Sequence, residues 1–103
     1  ERTGGPEGLR LLGEAVTAYR DALTVNTRTD MAADWAMTQG NIGLALELMA
    51  EADPDRRHAH LLEAETALVE ALSVFTPEHM AYYYAKATDS LARVRAKLAA
   101  LES

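Results

Sequence analysis

The 103-residue sequence contains no cysteine, which excludes a disulfide framework, a thiolate metal site and a cysteine nucleophile. It has no apolar run near the roughly 20 residues that cross a bilayer, and its first residues do not look like a signal peptide. Basic residues are few, because ten Lys and Arg face sixteen Asp and Glu in a chain of net charge −6. We therefore expect a cytoplasmic protein that binds neither nucleic acid nor a membrane.

Proline is also scarce, with three residues, and β-branched residues that favour strands are few. Alanine, leucine and glutamate are abundant instead, and these residues favour helix because they lose little side-chain freedom on a helical backbone. About half of the residues are apolar and a quarter are charged, as in folded proteins. The chain is thus predicted to be all-α and to form one domain over residues 1–103.

Spacing and capping residues predict two helices in the first half. Pro6 can occupy the first turn of a helix, and apolar residues then recur three and four positions apart, which predicts a helix over 6–26. Thr29 or Asp30 can accept hydrogen bonds from free backbone N–H groups. We therefore predict a second helix over 31–51.

Two proline motifs predict the helices of the second half. Asp53-Pro54 places a capping carboxylate before a proline in the first turn, and an apolar stripe follows, so a helix is predicted over 54–75. Thr76-Pro77-Glu78 repeats the motif and adds a carboxylate where the helix dipole favours it. This predicts a fourth helix over 77–101.

The number of apolar faces indicates where each helix packs. Helix two has two rows and should be interior; helix four has a single seam and should be a terminal cap. Helix one has a second face of its own, which we expect a copy of the chain or an upstream repeat to cover. The rows of helix two are Met31, Trp35, Ile42, Ala45 and Met49, and Met37, Leu44 and Leu48. The seam of helix four is Met80, Tyr84, Ala87, Leu91, Val94, Leu98 and Leu101. The second face of helix one is Leu11, Ala15, Ala18, Ala22 and Val25.

The sequence matches itself at a shift of 49 residues. Residues 12–27 align with 61–76, with nine of sixteen positions identical, and the match resumes where Met31 meets Met80. Repeated helix pairs at a period of 20 to 50 residues are typical of solenoids, whose units stack on their neighbours.

The repeated residues suggest a family. Ile42-Gly43 followed by Leu46 resembles the leucine-glycine-aromatic pattern in the first helix of a tetratricopeptide repeat, where glycine lets the paired helix approach. Ala15, Tyr19 and Ala22 resemble the small-large-small pattern of its second helix. The chain resembles bacterial members with extended repeats. This implies antiparallel helix pairs in a short right-handed solenoid.

The resemblance also implies a function and a place in the array. Arg95 stands where a large apolar residue should follow in helix four, so we expect the C-terminal end of a longer array. First-type helices, here two and four, line the concave face of this family, which scaffolds or binds a peptide or protein. The residues expected at that face are Met37, Leu44, Tyr82, Lys86, Arg93 and Lys97.

These residues also have interpretations that involve no partner. Lys86, Arg93 and Lys97 share one face of helix four and could receive a carboxylate, or they could form a solvated charged surface. Tyr82 points away from the seam and could contact a partner, although single exposed aromatic residues need no functional explanation.

The sequence gives little support to an active site or a metal site. His58 and His60 lie near Asp53, Asp55 and Glu63, but the two imidazoles point about 200° apart on a helix. No phosphate loop, zinc helix or nucleophile elbow is present. We expect no enzyme activity, no cofactor and no metal.

Two hypotheses on function remain open. The first is a binding module that recognises a protein segment on helices two and four. The second is a structural element that caps an array or self-associates through helix one. A closed four-helix bundle would need one apolar stripe per helix, and helices one and two contradict that.

Overall fold

Four α-helices make up most of residues 6–102, the part of the chain that the computed structural model describes. They are α1 (Pro6–Val25), α2 (Ala32–Ala52), α3 (Arg57–Leu72) and α4 (Ala81–Glu102), with a short 3-10 turn at Pro54–Arg56 before α3. No strand occurs within these residues, so the all-α prediction is confirmed. The first five residues, on which the signal-peptide interpretation partly rested, lie outside the described residues.

The predicted bounds of the first two helices agree with the structure to within one residue at each end. The third region begins as the 3-10 turn and its helix ends at Leu72, three residues before the predicted end. The fourth prediction was wrong at its start, because α4 begins at Ala81 and not at residue 77.

A closed loop before α4 explains that error. The backbone N–H of Thr76 donates to the carbonyl oxygen of His79 at 3.0 Å, and the His79 N–H donates to Thr76 Oγ1 at 2.9 Å. Met80 then adopts a left-handed conformation with φ 65°, which a helix cannot continue through. Pro77 therefore sits inside this loop rather than in the first helical turn.

The loop before α2 uses the same hydrogen bond. Thr27 Oγ1 accepts from the backbone N–H of Asp30 at 3.2 Å, and Thr27 and Thr76 are equivalent at the 49-residue shift. The predicted cap at Thr29 or Asp30 was wrong, because Met31 is the N-cap and no side chain caps the helix. One hydrogen bond of the loop is thus repeated, but the backbone is not, because Met31 has a φ of −134° where the equivalent Met80 has 65°.

The central helix is α2. It packs on α1 and, more extensively, on α3, and it also touches α4, which lies mainly on α3. Among the four helices, α1 packs against α2 alone. The interior prediction for helix two is therefore confirmed. The hydrophobic side chains of these helices that are at most 1 % exposed are Ala36, Leu46, Ala50, Leu61, Ala64, Leu68, Ala71 and Val94.

The face that α2 turns toward α3 differs from the predicted second row. Leu44 and Leu48 of that row are 43 % and 46 % exposed, so they do not pack in the core. Leu46 is 1 % exposed and Gly43 is buried against Leu68 of α3 instead. Gly43 lets α3 approach on this side of α2. The predicted row with Leu44 and Leu48 lies on another side of the helix.

The seam of α4 is confirmed except at its last residue. Ala87, Leu91, Val94 and Leu98 are buried, whereas Leu101 is 45 % exposed. Met80 and Tyr84 pack at the edge of the core. No helix among residues 6–102 is both long enough and apolar enough to cross a membrane.

Candidate partner-binding groove

A groove of about 110 Å³ lies between α2 and α4, over α3. Leu68 and Phe75 form its apolar floor but are only 1 % and 3 % exposed, so the apolar surface that a partner can reach comes mainly from Met37 and Leu44 on the wall. The walls come from one side of each flanking helix. On α2 they are Met37, Gly40, Asn41 and Leu44, and on α4 they are Tyr83, Lys86, Ala87 and Ser90. The structure therefore brings together three of the six predicted partner-binding residues: Met37, Leu44 and Lys86.

Aromatic rings form the end of the groove near the start of α4. Tyr83 stacks on Phe75 with ring centroids 5.5 Å apart, and Tyr82 meets Tyr83 edge-on at 5.3 Å. Tyr82 is 67 % exposed, so its ring is open to a partner, as its position off the seam predicted. The Nζ atom of Lys86 lies 5.4 Å from the centre of the Tyr82 ring. Lys86 makes no ion pair with a carboxylate of residues 6–102.

Farther along α4 the two helices are joined by a buried carboxylate. Glu47 of α2 is 4 % exposed and accepts two hydrogen bonds from the Arg93 guanidinium, at 3.0 and 3.1 Å. Lys97 donates to the same carboxylate at 2.7 Å and to Glu51 at 2.9 Å. This cluster is the only buried charged contact between α2 and α4 within the described residues.

Two opposing effects act on the pKa of Glu47. Burial raises it, but the hydrogen bonds and positive charges of Arg93 and Lys97 together outweigh burial and hold the pKa below its usual range. Burial likewise lowers the pKa of Lys97, and its contacts with Glu47 and Glu51 outweigh that effect and raise it. All three groups are consequently charged at neutral pH.

The cluster changes what the predicted basic row can do. Arg93 and Lys97 are each paired with an acidic side chain of α2, so a carboxylate from a partner would have to compete with Glu47. Their side chains are still 50 % and 35 % exposed. Lys86 is the member of the row whose charge is open to an incoming acidic group.

The second apolar face of α1 is largely uncovered. Leu11 is 52 % and Val25 is 76 % exposed, and Ala18 is also exposed, whereas Ala15 and Ala22 are partly covered. The opposite side of α1 packs on the core through Val16 and its neighbours.

The histidines near the start of α3 have separate partners. His60 is 8 % exposed and its Nε2 lies 3.3 Å from Asp53 Oδ2, while His58 Nε2 lies 3.2 Å from Glu102 Oε2. Within residues 6–102 no three metal-ligating side chains of the His, Cys, Asp or Glu type come together. The contacts tie the start of α3 to α2 and to the end of α4.

The Glu47 cluster and the Tyr83 stack were not predicted from the sequence. A signal for the cluster exists, because Glu47 and Glu51 are four residues apart on one helix and Arg93 and Lys97 are four apart on another. Such matched pairs can meet when two helices lie side by side.

We compared the chain with models of protein families, with curated proteins and with solved structures. No family model matches it. No curated protein matches it, and neither does any solved structure.

Proposed function

We propose that the chain is a protein-binding module whose α2–α4 groove receives a peptide segment with a bulky apolar side chain beside an acidic one. One observation carries the proposal: the groove joins the apolar side chains of Met37 and Leu44 to an open cation at Lys86. Apolar contacts on such a wall supply affinity, and a nearby charge fixes orientation.

The rim of the groove supports the same partner. Leu44 lines the groove and is 43 % exposed, and the exposed ring of Tyr82 lies beside the lining residues Tyr83 and Lys86. A tyrosine offers much contact area at low entropic cost, and its ring already holds Lys86 in place by a cation–π contact. An acidic side chain arriving at Lys86 meets a positive site on a protein whose net charge is −6.

The sequence repeat and the hydrogen bond that Thr27 and Thr76 share support a wider proposal about architecture. We propose that α2–α3 is one complete pair of a tetratricopeptide-like right-handed solenoid at the end of a longer array, with α1 as the second helix of the preceding pair and α4 as the capping first helix. In that arrangement α2 and α4 are the equivalent first helices, and their shared groove is the binding face.

Selection of peptides tests the binding function. A displayed library of random peptides is panned on the immobilised protein, and enriched peptides are measured by fluorescence anisotropy. We expect enrichment of a bulky apolar residue next to Asp or Glu. Leu44→Arg should weaken binding at least about tenfold, because it places a charge over the apolar floor. Lys86→Glu should weaken it similarly and remove the dependence on salt.

A matched variant controls for general surface effects. Leu62 on α3 is 42 % exposed against 43 % for Leu44, and it does not line the groove. Leu62→Arg should therefore bind the enriched peptides as the unmodified chain does. Peptides that lose affinity for the Leu62 variant as much as for the Leu44 variant would contradict the groove as their site.

The exposed face of α1 favours a second candidate function, which is structural. Leu11 and Val25 are too exposed for a face that has no neighbour in the working protein, so this side is proposed to join a copy of the chain or another repeat. The solution mass separates the cases. A dimer that resists dilution supports self-association, and a monomer that binds the selected peptides supports the groove function.

A further inference from the structure

The outer face of α1 repeats a face that is buried in α3. At the 49-residue shift, three alanines of this face coincide with three alanines of α3. The residues are identical, so their different exposure comes from their neighbours and not from their chemistry. Ala64, Ala67 and Ala71 of α3 are 0 %, 5 % and 0 % exposed, whereas Ala18 of α1 is exposed and Ala15 and Ala22 are only partly covered.

The helix that packs on the α3 face shows which kind of neighbour the α1 face lacks. In α3, Ala64 and Leu68 lie against Gly43 of α2, where a Cβ atom would come within 2.7 Å of Leu68. The equivalent positions of α1 are Ala15 and Tyr19. Tyr19 packs on the core from one side, and no helix among residues 6–102 packs on the outer side of α1. A helix with glycine or alanine at the Gly43 position would fit there.

The contacts made on this side of α3 also include a pair of charged side chains. Arg20 of α1 reaches Glu63 of α3 at 3.7 Å across a groove that Thr66, Ala67 and Glu70 also line. The outer side of α1 presents the same types of side chain at the equivalent positions, in an open depression. Its lining includes Glu14, Thr17, Ala18 and Asp21, which are the repeat equivalents of the four α3 residues. Glu14 differs from Glu63 in one respect, because it already pairs with Arg10 one turn earlier on α1, and Arg10 also lines the depression. The charge at this position is therefore satisfied within α1.

A second copy of the chain does not offer these features. Its free end is α3–α4, where Val69 stands at the position of Arg20 and Arg95 at the position of Leu46. A copy would therefore place a guanidinium on an apolar contact. Its α1–α2 pair is not free either, because α2 already packs on α3.

We propose that the outer face of α1 binds a further helix pair of the α1–α2 kind, carried by a polypeptide segment other than α1–α4. The helix of that pair that corresponds to α2 places glycine or alanine against Ala15 and Tyr19. The inference rests on the structural role given above as the second candidate function and names the partner of that face.

An extended chain tests the proposal. A second copy of residues 6–60 is joined directly to Leu12 of residues 12–102, which keeps the helix register because Leu12 and Leu61 are equivalent. The chain has no cysteine, so Ala18→Cys in the second α1 gives a single thiol whose alkylation by iodoacetamide reports its exposure. Ala67→Cys in the unmodified chain is the buried reference, because Ala67 is the repeat equivalent of Ala18.

In the unmodified chain we expect the thiol at position 18 to react at least about tenfold faster than the thiol at position 67. In the extended chain its rate should fall about tenfold, toward that of the reference. Leu46→Arg in the added pair copies Arg95 and should restore fast alkylation.

Three results would overturn the inference. The thiol at position 18 reacts as fast in the extended chain as in the unmodified one, although circular dichroism shows that the added helices fold. The added helices stay unfolded. The thiol is already protected in the unmodified chain and becomes exposed on dilution, which would make a copy the occupant. These measurements do not involve the α2–α4 groove, so peptide binding stands or falls separately.

Discussion

Gly43 of α2 lies so close to Leu68 of α3 that a Cβ atom at Gly43 would be 2.7 Å from Leu68 Cγ and 2.9 Å from Leu68 Cδ2. The same atom would be 3.4 Å from the backbone oxygen of Ala64. Real Cβ atoms do not approach other carbon atoms this closely, so the contact between α2 and α3 depends on the missing side chain.

Gly43→Ala is expected to destabilise the protein by up to about 2 kcal/mol, because the added methyl group overpacks a site with little room at a cost of about 1–3 kcal/mol. Alanine favours helix over glycine by about 1 kcal/mol, so the net loss is the overpacking cost after that gain. Gly40→Ala is the control on the same helix, since no atom lies within 4 Å of its added Cβ. It should raise the unfolding free energy by about 0.5–1 kcal/mol in urea titrations. Equal effects of the two substitutions would contradict the close approach.

The buried carboxylate between α2 and α4 gives a second prediction. Glu47→Gln keeps the shape of the side chain but leaves Arg93 and Lys97 without a negative partner. We expect a loss of about 1–2 kcal/mol in the free energy of unfolding, smaller than for a fully buried pair because solvent reaches both cations. Glu51→Gln is the exposed control and should cost less than about 0.5 kcal/mol. A Glu47→Gln protein as stable as the unmodified chain would show that the cluster contributes nothing.

The pKa of Glu47 predicts how stability changes with pH. Its pKa is lower in the folded protein than the ordinary value of about 4.3 for a glutamate in an unfolded chain. The folded state therefore takes up this proton less readily, so its contribution is complete above that value and is lost as the pH falls through the folded pKa.

Urea unfolding at pH 7, 5 and 3 tests the sign. The unmodified chain should lose more stability between pH 5 and pH 3 than Glu47→Gln, because the variant has no carboxylate to protonate at this position. Parallel curves for the two proteins would mean that the folded and unfolded pKa values of Glu47 are alike.

The outer face of α1 gives a prediction about association. Replacing Leu11, Ala18 and Val25 together with Glu should change the assembly of the protein far more than the folding of α2, α3 and α4. The reason is that α1 meets the rest of the chain through its opposite side, around Val16. Circular dichroism and solution mass measure the two effects. Global unfolding of the triple variant as an isolated monomer would refute this assignment of the two faces.

Local sequence signals predicted the helices and the repeat well. The 3.6-residue spacing depends only on neighbouring positions, and the match of residues 12–27 with 61–76 is found by comparing the sequence with itself, so both can be read from the chain. The start of α4 could not be read in this way. Pro77 fits a first helical turn as well as it fits the loop, and only the contacts of Thr76 with His79 and the left-handed Met80 decide between them.

The packing of α2 shows another limit. Large residues dominate an apolar pattern, so Leu44 and Leu48 looked like a buried row, yet the close contact with α3 is made where Gly43 permits it. The ion cluster depends on distance in space, since Glu47 and Arg93 are 46 positions apart in sequence. In this cluster Arg93 and Lys97 of the predicted basic row are paired with Glu47. Lys86 of the same row has no carboxylate partner among residues 6–102.

The most direct test of the binding groove is an amide NMR titration of the uniformly labelled protein with a peptide enriched in the library selection. We expect the largest shift changes at Met37, Leu44, Tyr82 and Lys86, with little change along α1. Changes centred on α1, or on the exposed side of α3 around Leu62, would contradict the assignment of the α2–α4 groove as the binding site.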